Sequence, residues 1–144
     1  MLVKQILRSP GPGSVITVKP STKLSEVAKI LAEKRIGGLI VSEDGNKADG
    51  IVSERDIVRI LAKKGAASMD IQASEIMTSD LKTCGLDDTA DEILQRMTDG
   101  RFRHMPVVVG DEMVGIVTIG DLVSARLSEL SMEKDALQGM IMGH

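Results

Sequence analysis

The sequence of 144 residues is almost free of aromatic side chains, with no Trp, no Tyr and only Phe102. Proteins that bind single-stranded nucleic acid stack the bases on aromatic rings, and this chain lacks such a platform. Its net charge of −3 also provides no basic field for duplex phosphates. The composition therefore argues against nucleic-acid binding and predicts a core of aliphatic side chains.

Cysteine and long apolar runs are scarce as well. Cys84 is the only cysteine, which excludes an internal disulfide and a thiolate metal site and favours a reducing compartment. No run approaches the roughly 18 to 20 apolar residues of a membrane span. Charged residues within positions 1–8 make that segment a poor signal peptide. We therefore expect a cytoplasmic protein without a membrane segment.

One unit is present twice. Residues 50–56 read GIVSERD and residues 115–121 read GIVTIGD, so glycine, hydroxyl and aspartate each return 65 positions later. In both copies a strand-like apolar pattern leads through a hydroxyl and an acid into a helix. A 60-residue half alone would be marginally stable, whereas 144 residues can bury about two-thirds of their unfolded surface. The two copies are therefore expected to share one core.

The apolar periodicity predicts strand, helix, strand, strand, helix in each copy. The first copy has predicted strands over 15–18, 39–41 and 50–53, a helix with Val27, Ile30 and Leu31 on one face, and a helix that Asp56 opens. The second copy has predicted strands over 81–84, 105–109 and 113–118 and helices over 91–98 and from Asp121.

Capping residues differ between the copies. Thr89 and Glu92 have the spacing of a capping box at the start of the second-copy helix. Their first-copy equivalents, Lys23 and Glu26, cannot form one. Thr22 is therefore the expected cap in the first copy.

Apolar side chains continue beyond the second copy. They fall mostly on one helical stripe that Lys134 interrupts, at Val123, Leu127, Leu130, Leu137 and Ile141. Such a stripe is typical of a core or a dimer seam rather than of a ligand site.

The repeated unit, with Gly–apolar–apolar–Ser/Thr–x–x–Asp at its last strand–helix junction, resembles the tandem cystathionine-β-synthase (CBS) domain pair over nearly the whole chain. Residues 103–107 are similar to the family's strand entry, residues 36–41 are their first-copy counterpart, and residues 50–59 look like a stand-alone bacterial subgroup. The resemblance implies an α/β fold with α+β-type sheets, in which two βαββα repeats form one compact pseudo-two-fold module. Domains are expected over 8–66 and 73–129, with a helical tail over 130–144 as a possible dimer contact.

The resemblance also implies a function. Clefts between the sheets would bind an adenosyl ligand, with AMP first and ADP, ATP, NAD or S-adenosylmethionine as alternatives. The module would form a homodimer, regulate a separate partner protein, and carry no catalytic cofactor. A ligand-free structural or oligomerisation module is the alternative, and hydrolysis of a bound nucleotide would need a base and a metal that the sequence does not indicate.

The repeated hydroxyl and acid are the central candidates for ligand binding. The Asp121 carboxylate can accept hydrogen bonds from both ribose hydroxyls, and Thr118 can donate to a phosphate near free helix N–H groups. Helix capping is the competing explanation. Ser53 and Asp56 take these roles in the first copy, where Arg55 adds a cation.

Other candidate ligand-binding residues are suggested by their positions before or within the predicted strands. Arg101, Arg103 and His104 precede a strand and can contact phosphate, or they form a solvated loop. Adenine is expected between aliphatic side chains, with its edge read by backbone groups. The residues expected around the base and at the cleft edge are Ile16, Thr17, Gly38, Leu39, Thr83, Met105, Pro106 and Ile116.

The remaining reactive side chains suggest no catalysis. Cys84 aligns with Val18 at a shift of 66 positions and is expected to be buried and inert. His104 is solitary and His144 is terminal, so neither a metal site nor a base–nucleophile pair is expected. The sequence therefore predicts a binding protein rather than an enzyme.

Overall fold

Helices and strands follow a similar order in the two halves of the chain, in a computed structural model that describes residues 1–7 and 10–141. The elements are α1 (Val3–Ile6), β1 (Thr17–Val18), α2 (Leu24–Lys34), β2 (Gly38–Val41), β3 (Gly50–Ser53), α3 (Glu54–Lys64), α4 (Ala73–Ile76), α5 (Ala90–Gly100), β4 (His104–Val109), β5 (Glu112–Thr118) and α6 (Ile119–Ile141). A 3-10 helix over Gly65–Asp70 links the halves. The expected α/β fold is confirmed. The predicted start of the first domain at residue 8 and the terminal His144 lie outside the described residues.

The two sheets have related topologies. In the first, β1 pairs with β2 in parallel and β2 pairs with β3 antiparallel. In the second, β4 and β5 form the antiparallel pair. The predicted strand over 81–84 is reduced to one parallel bridge between Cys84 and Val107. Its pairing stops there because the next N–H, that of Gly85, donates to the Asp88 carboxylate at 2.8 Å and turns the chain.

Each half has its own hydrophobic cluster, so the expectation of one shared core is wrong. The first cluster contains Val18, Leu24, Val27, Leu31, Leu39, Val41, Val52, Ile57 and Ala73. The second contains Val3, Cys84, Ala90, Ile93, Met97, Met105, Val107, Val114, Val117, Leu122 and Ala125. In each half, helices of that half cover the apolar face of the sheet.

A short helix from the opposite half completes each cluster. Val3 of α1 is fully buried in the second cluster, and its N–H donates to the Asp88 carbonyl at 2.9 Å. Ala73 of α4 is fully buried in the first cluster, and its N–H donates to the Thr22 carbonyl at 2.7 Å. The halves are therefore interlocked although their cores are separate.

The packing of α4 into the first cluster explains how α2 is capped. Lys23 is its N-cap, without a side-chain capping bond, so the prediction of Thr22 is wrong. The chain there is bonded to the lead-in of α4, since the Leu24 N–H donates to the Ile71 carbonyl at 2.9 Å. Thr89 is the N-cap of α5 as predicted, because its Oγ1 accepts a bond from the Glu92 N–H at 3.3 Å. The reciprocal bond from the Thr89 N–H to the Glu92 side chain, which would complete the predicted capping box, is not among the bonds of the described residues.

The last helix extends beyond the second cluster. Only Leu122 and Ala125 of its described residues are buried. The apolar stripe is exposed, at Val123, Leu127, Leu130, Leu137 and Ile141. It is therefore not part of the core of this chain. No helix in the described part of the chain combines the length and apolarity needed to cross a membrane.

Candidate functional site

A cavity of about 1090 Å³ opens between the two halves. Both repeats contribute to its wall, so residues expected in two separate clefts line one continuous space. The predicted site residues that line it are Ile16, Gly38, Ser53, Arg55, Asp56, Arg101, Arg103, His104, Ile116, Thr118 and Asp121.

Two expected adenine contacts lie elsewhere. Leu39 and Met105 are fully buried in the hydrophobic clusters and do not line the cavity. Successive side chains of a strand point to opposite faces of a sheet. Their strand neighbours Ile40 and His104 therefore line the cavity instead, and the expectation for Leu39 and Met105 is corrected.

Three further candidates are also outside the cavity wall. Pro106 is buried at the third position of β4, where its carbonyl accepts a bond from the Cys84 N–H at 3.0 Å. The Thr83 carbonyl accepts a bond from Arg96 Nη2 at 3.1 Å. Thr17 is held in β1 opposite Ile40. Their backbone groups serve the fold rather than the cavity.

In the first repeat, the hydroxyl and the acid form a capping box. Ser53 precedes α3, and its Oγ accepts a bond from the Asp56 N–H at 3.2 Å. Asp56 Oδ2 accepts bonds from the N–H and the hydroxyl of Ser53 at 2.9 and 3.0 Å. Its Oδ1 lies 3.9 Å from Arg59 Nη1. Both carboxylate oxygens of Asp56 therefore have partners.

The second repeat has a similar but more open arrangement. Thr118 Oγ1 accepts a bond from the Asp121 N–H at 3.2 Å, and Asp121 Oδ2 accepts one from the Thr118 N–H at 3.0 Å. The Asp121 side chain is exposed, and no bond to its Oδ1 occurs among the described residues. Capping thus occupies one oxygen and leaves the other for a ligand. The capping and ligand-binding explanations are compatible at Asp121.

The cavity wall is positive although the chain is acidic. It carries six basic side chains, Arg35, Arg55, Arg59, Lys82, Arg101 and Arg103, and four acidic ones, Glu54, Asp56, Asp80 and Asp121. Ion pairs of the described residues include Arg59 and Arg126 but not Arg35, Arg55, Arg101 or Arg103. The wall can therefore attract anions.

Sequence reasoning missed part of this cation cluster. Arg35 was not among the candidates, although Arg101 is its counterpart 66 positions later. Lys82 and Arg59 were missed too, because neither belongs to the repeated motif. The shift that aligned the two strands would have identified Arg35.

His104 lies where the two halves meet. A Cβ at Gly38 would be 3.0 Å from His104 Nε2, so any other residue there would crowd the imidazole. Gly38 and His104 are counterparts at a shift of 66 positions, and two equivalent positions can meet only near the pseudo-two-fold axis. The glycine at position 38 leaves room there for the imidazole of its counterpart.

The surroundings of His104 keep it neutral at neutral pH. Burial lowers its pKa from 6.5 because it disfavours the charged imidazolium, and Arg103 lowers it further. Glu54, Asp121 and Asp56 act in the opposite direction but do not prevail.

Other reactive groups are not poised for chemistry. Burial raises the pKa of Cys84 to about 11, and its Sγ lies 3.8 Å from the Pro106 carbonyl oxygen. A thiol with this pKa is a poor nucleophile at neutral pH. Within residues 1–7 and 10–141, no group of His, Cys, Asp and Glu side chains could hold a metal ion.

Comparisons with known proteins agree with this geometry. The CBS domain model matches residues 3–63 and 73–128. A CBS-domain-containing protein from Agrobacterium tumefaciens is 37% identical with a TM-score of 0.81, over 88% of this chain and 99% of its own. The mitochondrial CBS domain-containing protein CBSX3 from Arabidopsis thaliana is 30% identical over 98% of this chain and 72% of its own.

A third relative was solved with ligands. The CBS domain pair of protein MJ0100, in complex with 5′-methylthioadenosine and S-adenosyl-L-methionine, is 30% identical with a TM-score of 0.78. The match covers 90% of this chain and 98% of that one. CBS pairs are regulatory ligand-binding modules and are typically not catalytic. Two domain matches that span most of the sequence, together with the shared fold, show that this chain belongs to the CBS family as a tandem domain pair.

Proposed function

We propose that this chain is a regulatory module that binds an adenine nucleotide in the cavity between its halves and acts on a separate partner protein. The supporting observation is that one cavity wall combines both hydroxyl–acid motifs with four arginines that have no ion-pair partner among the described residues. The role assigned to the cavity is binding, with no reaction.

Asp121 is the proposed ribose contact. Its Oδ1, which accepts no bond from the described residues, can accept bonds from the vicinal diol while Oδ2 remains bonded to the Thr118 N–H. Asp56 is less available, since its two oxygens already contact Ser53 and Arg59. We therefore expect the second-repeat acid to dominate ribose recognition.

Charge favours phosphorylated ligands. Two more cations than carboxylates line the cavity, and a guanidinium can bind a phosphate through two parallel hydrogen bonds. S-adenosylmethionine carries a sulfonium cation, which this wall would disfavour. AMP is the smallest member of the favoured class, which includes ADP, ATP and NAD.

The adenine is assigned to the aliphatic part of the wall. Ile16 is 44% exposed and lines the cavity together with Ile51 and Ile116. Apolar side chains can cover the faces of the base, while backbone groups satisfy its edge. Phe102 is the one aromatic residue of the chain and also lines the cavity.

Calorimetry with AMP, ATP, NAD, S-adenosylmethionine and 2′-deoxy-AMP tests this proposal. We expect the phosphorylated ribonucleotides to bind, and both Asp121→Ala and the 2′-deoxy analogue to weaken binding about tenfold or more, the scale of a hydrogen bond to a charged group. Thr89→Ala is the control, because it removes a helix cap away from the cavity. Absence of binding by every ligand, or unchanged affinity in Asp121→Ala, would contradict the proposal.

A homodimer is the proposed assembly. The exposed stripe of α6 has alternating spacings of four and three residues, at Val123, Leu127, Leu130, Lys134, Leu137 and Ile141. This spacing is that of a helix seam packed against another helix. A second copy presents the same stripe and can cover it. If the cavity binds no ligand, this surface supports the alternative function, a structural oligomerisation module.

A further inference from the structure

Two arginines end helices in a conformation that arginine rarely adopts. Arg35 caps the C-terminus of α2 with φ 55°, and Arg101 caps that of α5 with φ 57°. They are the non-glycine residues with positive φ in the described part of the chain. They are also counterparts at a shift of 66 positions, so both repeats place arginine at the same strained point.

Helix stability does not account for the arginine at the end of α2. The left-handed C-cap position favours glycine or asparagine, because a Cβ is strained there. A cation near a helix C-terminus does interact favourably with the exposed carbonyls. In α2, however, Lys34 already supplies a cation in the last turn. Glycine would therefore serve the fold at least as well as Arg35.

Both side chains are available to a ligand. Arg35 and Arg101 are exposed and line the same cavity. Neither takes part in the ion pairs or side-chain hydrogen bonds found among the described residues. They approach the cavity from opposite repeats, whereas Arg55 and Arg103 lie at non-equivalent positions of the motif.

We propose that Arg35 and Arg101 form a phosphate clamp that selects adenosine di- and triphosphates over the monophosphate. Four guanidinium groups without an ion pair to any described residue line the cavity, which exceeds what one phosphate group can engage, and each can bind a phosphate bidentately. A chain of two or three phosphates offers enough oxygens for guanidinium groups from both repeats. The inference rests on the proposed function, because it assigns the phosphate end of the same nucleotide.

Arg35→Gly and Arg101→Gly test the clamp, with ATP, AMP and adenosine as ligands. Glycine relieves the left-handed strain, so the thermal midpoint of Arg35→Gly is expected to stay equal or to rise. In Arg101→Gly this gain is offset by loss of the cation at the end of α5, where the last turn has no other basic residue. ATP affinity is expected to fall about tenfold or more in each variant, while adenosine affinity stays unchanged. Arg126→Gln makes the same change of charge on α6 and should leave the ratio of ATP to adenosine affinity unaltered.

The outcomes separate the clamp from the nucleotide site. If ATP and adenosine bind the natural protein equally, or if the glycine variants lower the melting temperature and keep the affinity ratio, the clamp is overturned while the nucleotide site stands. Two AMP molecules bound per chain as tightly as one ATP would also overturn it. If no adenosine compound binds, tripolyphosphate is the probe: binding that both glycine variants weaken supports the clamp without the proposed function, and absence of binding overturns both.

Discussion

At the scale of single residues, His104 is a group whose charge depends on its surroundings. It packs against Gly38 at the junction of the halves, and burial together with Arg103 holds its pKa below the usual range. The carboxylates of Glu54, Asp56 and Asp121 face it and partly offset this effect. The imidazole is neutral at neutral pH and becomes a cation only in acid.

This pKa predicts a pH dependence of stability. His104 titrates near 6.5 in the unfolded chain and at a lower pH in the folded one, so the unfolded state binds the proton first as the pH falls. Stability that is complete above 6.5 is therefore lost as the pH falls through the folded-state pKa. Urea unfolding between about pH 7.5 and about pH 5 should show a smaller decline for His104→Gln than for the natural protein. Parallel declines in the two proteins would refute the prediction.

At the scale of elements, the exchanged helices α1 and α4 are the decisive feature. The residues that follow these two helices pack closely against glycines, which have no side chain in the way. A Cβ at Gly115 would lie 2.7 Å from Leu7 Cδ1, and one at Gly50 would lie 2.5 Å from Met77 Sδ. Gly50 and Gly115 are equivalent positions of the repeated motif, and each contacts the residue that follows one of the two exchanged helices.

Gly115→Ala is therefore expected to destabilise the protein by about 1–3 kcal/mol through overpacking. Leu7→Ala removes the clashing methyls, so the double variant should be less destabilised than the sum of the single variants. Denaturant unfolding of the four proteins measures this coupling. Gly85→Ala is the control, since its nearest neighbour would be Asp88 Oδ2 at 3.9 Å. Additive effects at Gly115 and Leu7 would show that the contact is not made in solution.

At the scale of the whole molecule, α6 presents an apolar surface that its own chain does not cover. Leu130 and Leu137 are 45% and 58% exposed on the stripe, and Met132 is 60% exposed about 200° around the helix from Leu130. An exposed apolar row of this kind is typical of a contact with another chain.

The homodimer proposal predicts how association responds to changes along this row. Leu130→Asp and Leu137→Asp should dissociate the dimer, because each places a charge in the apolar seam, whereas Met132→Asp should not. Lys134→Leu should strengthen association by completing the row. Sedimentation velocity over a range of protein concentrations measures these effects. A natural protein that stays monomeric, or equal effects at Met132 and Leu130, would refute the assembly.

The sequence by itself determined the repeat, the order of the longer helices and of the paired strands, and the hydroxyl–acid motif at the start of α3 and α6. These features depend on residues within a few positions of each other, such as Thr118 with Asp121 and Ser53 with Asp56. Periodicity and capping are local properties, so they can be interpreted without the fold. The resemblance of the motif to CBS pairs added the family, which the comparisons confirmed.

Only the tertiary structure decided which side chains share the cavity and which complete the cores. Val3 and Ala73 cross to the opposite halves, and His104 meets its own counterpart, Gly38, across the pseudo-two-fold axis. Leu39 faces a core while its neighbour Ile40 faces the cavity. Such contacts join residues far apart in the chain, and they are set by how two sheets with similar local sequence pack together, which local patterns do not encode.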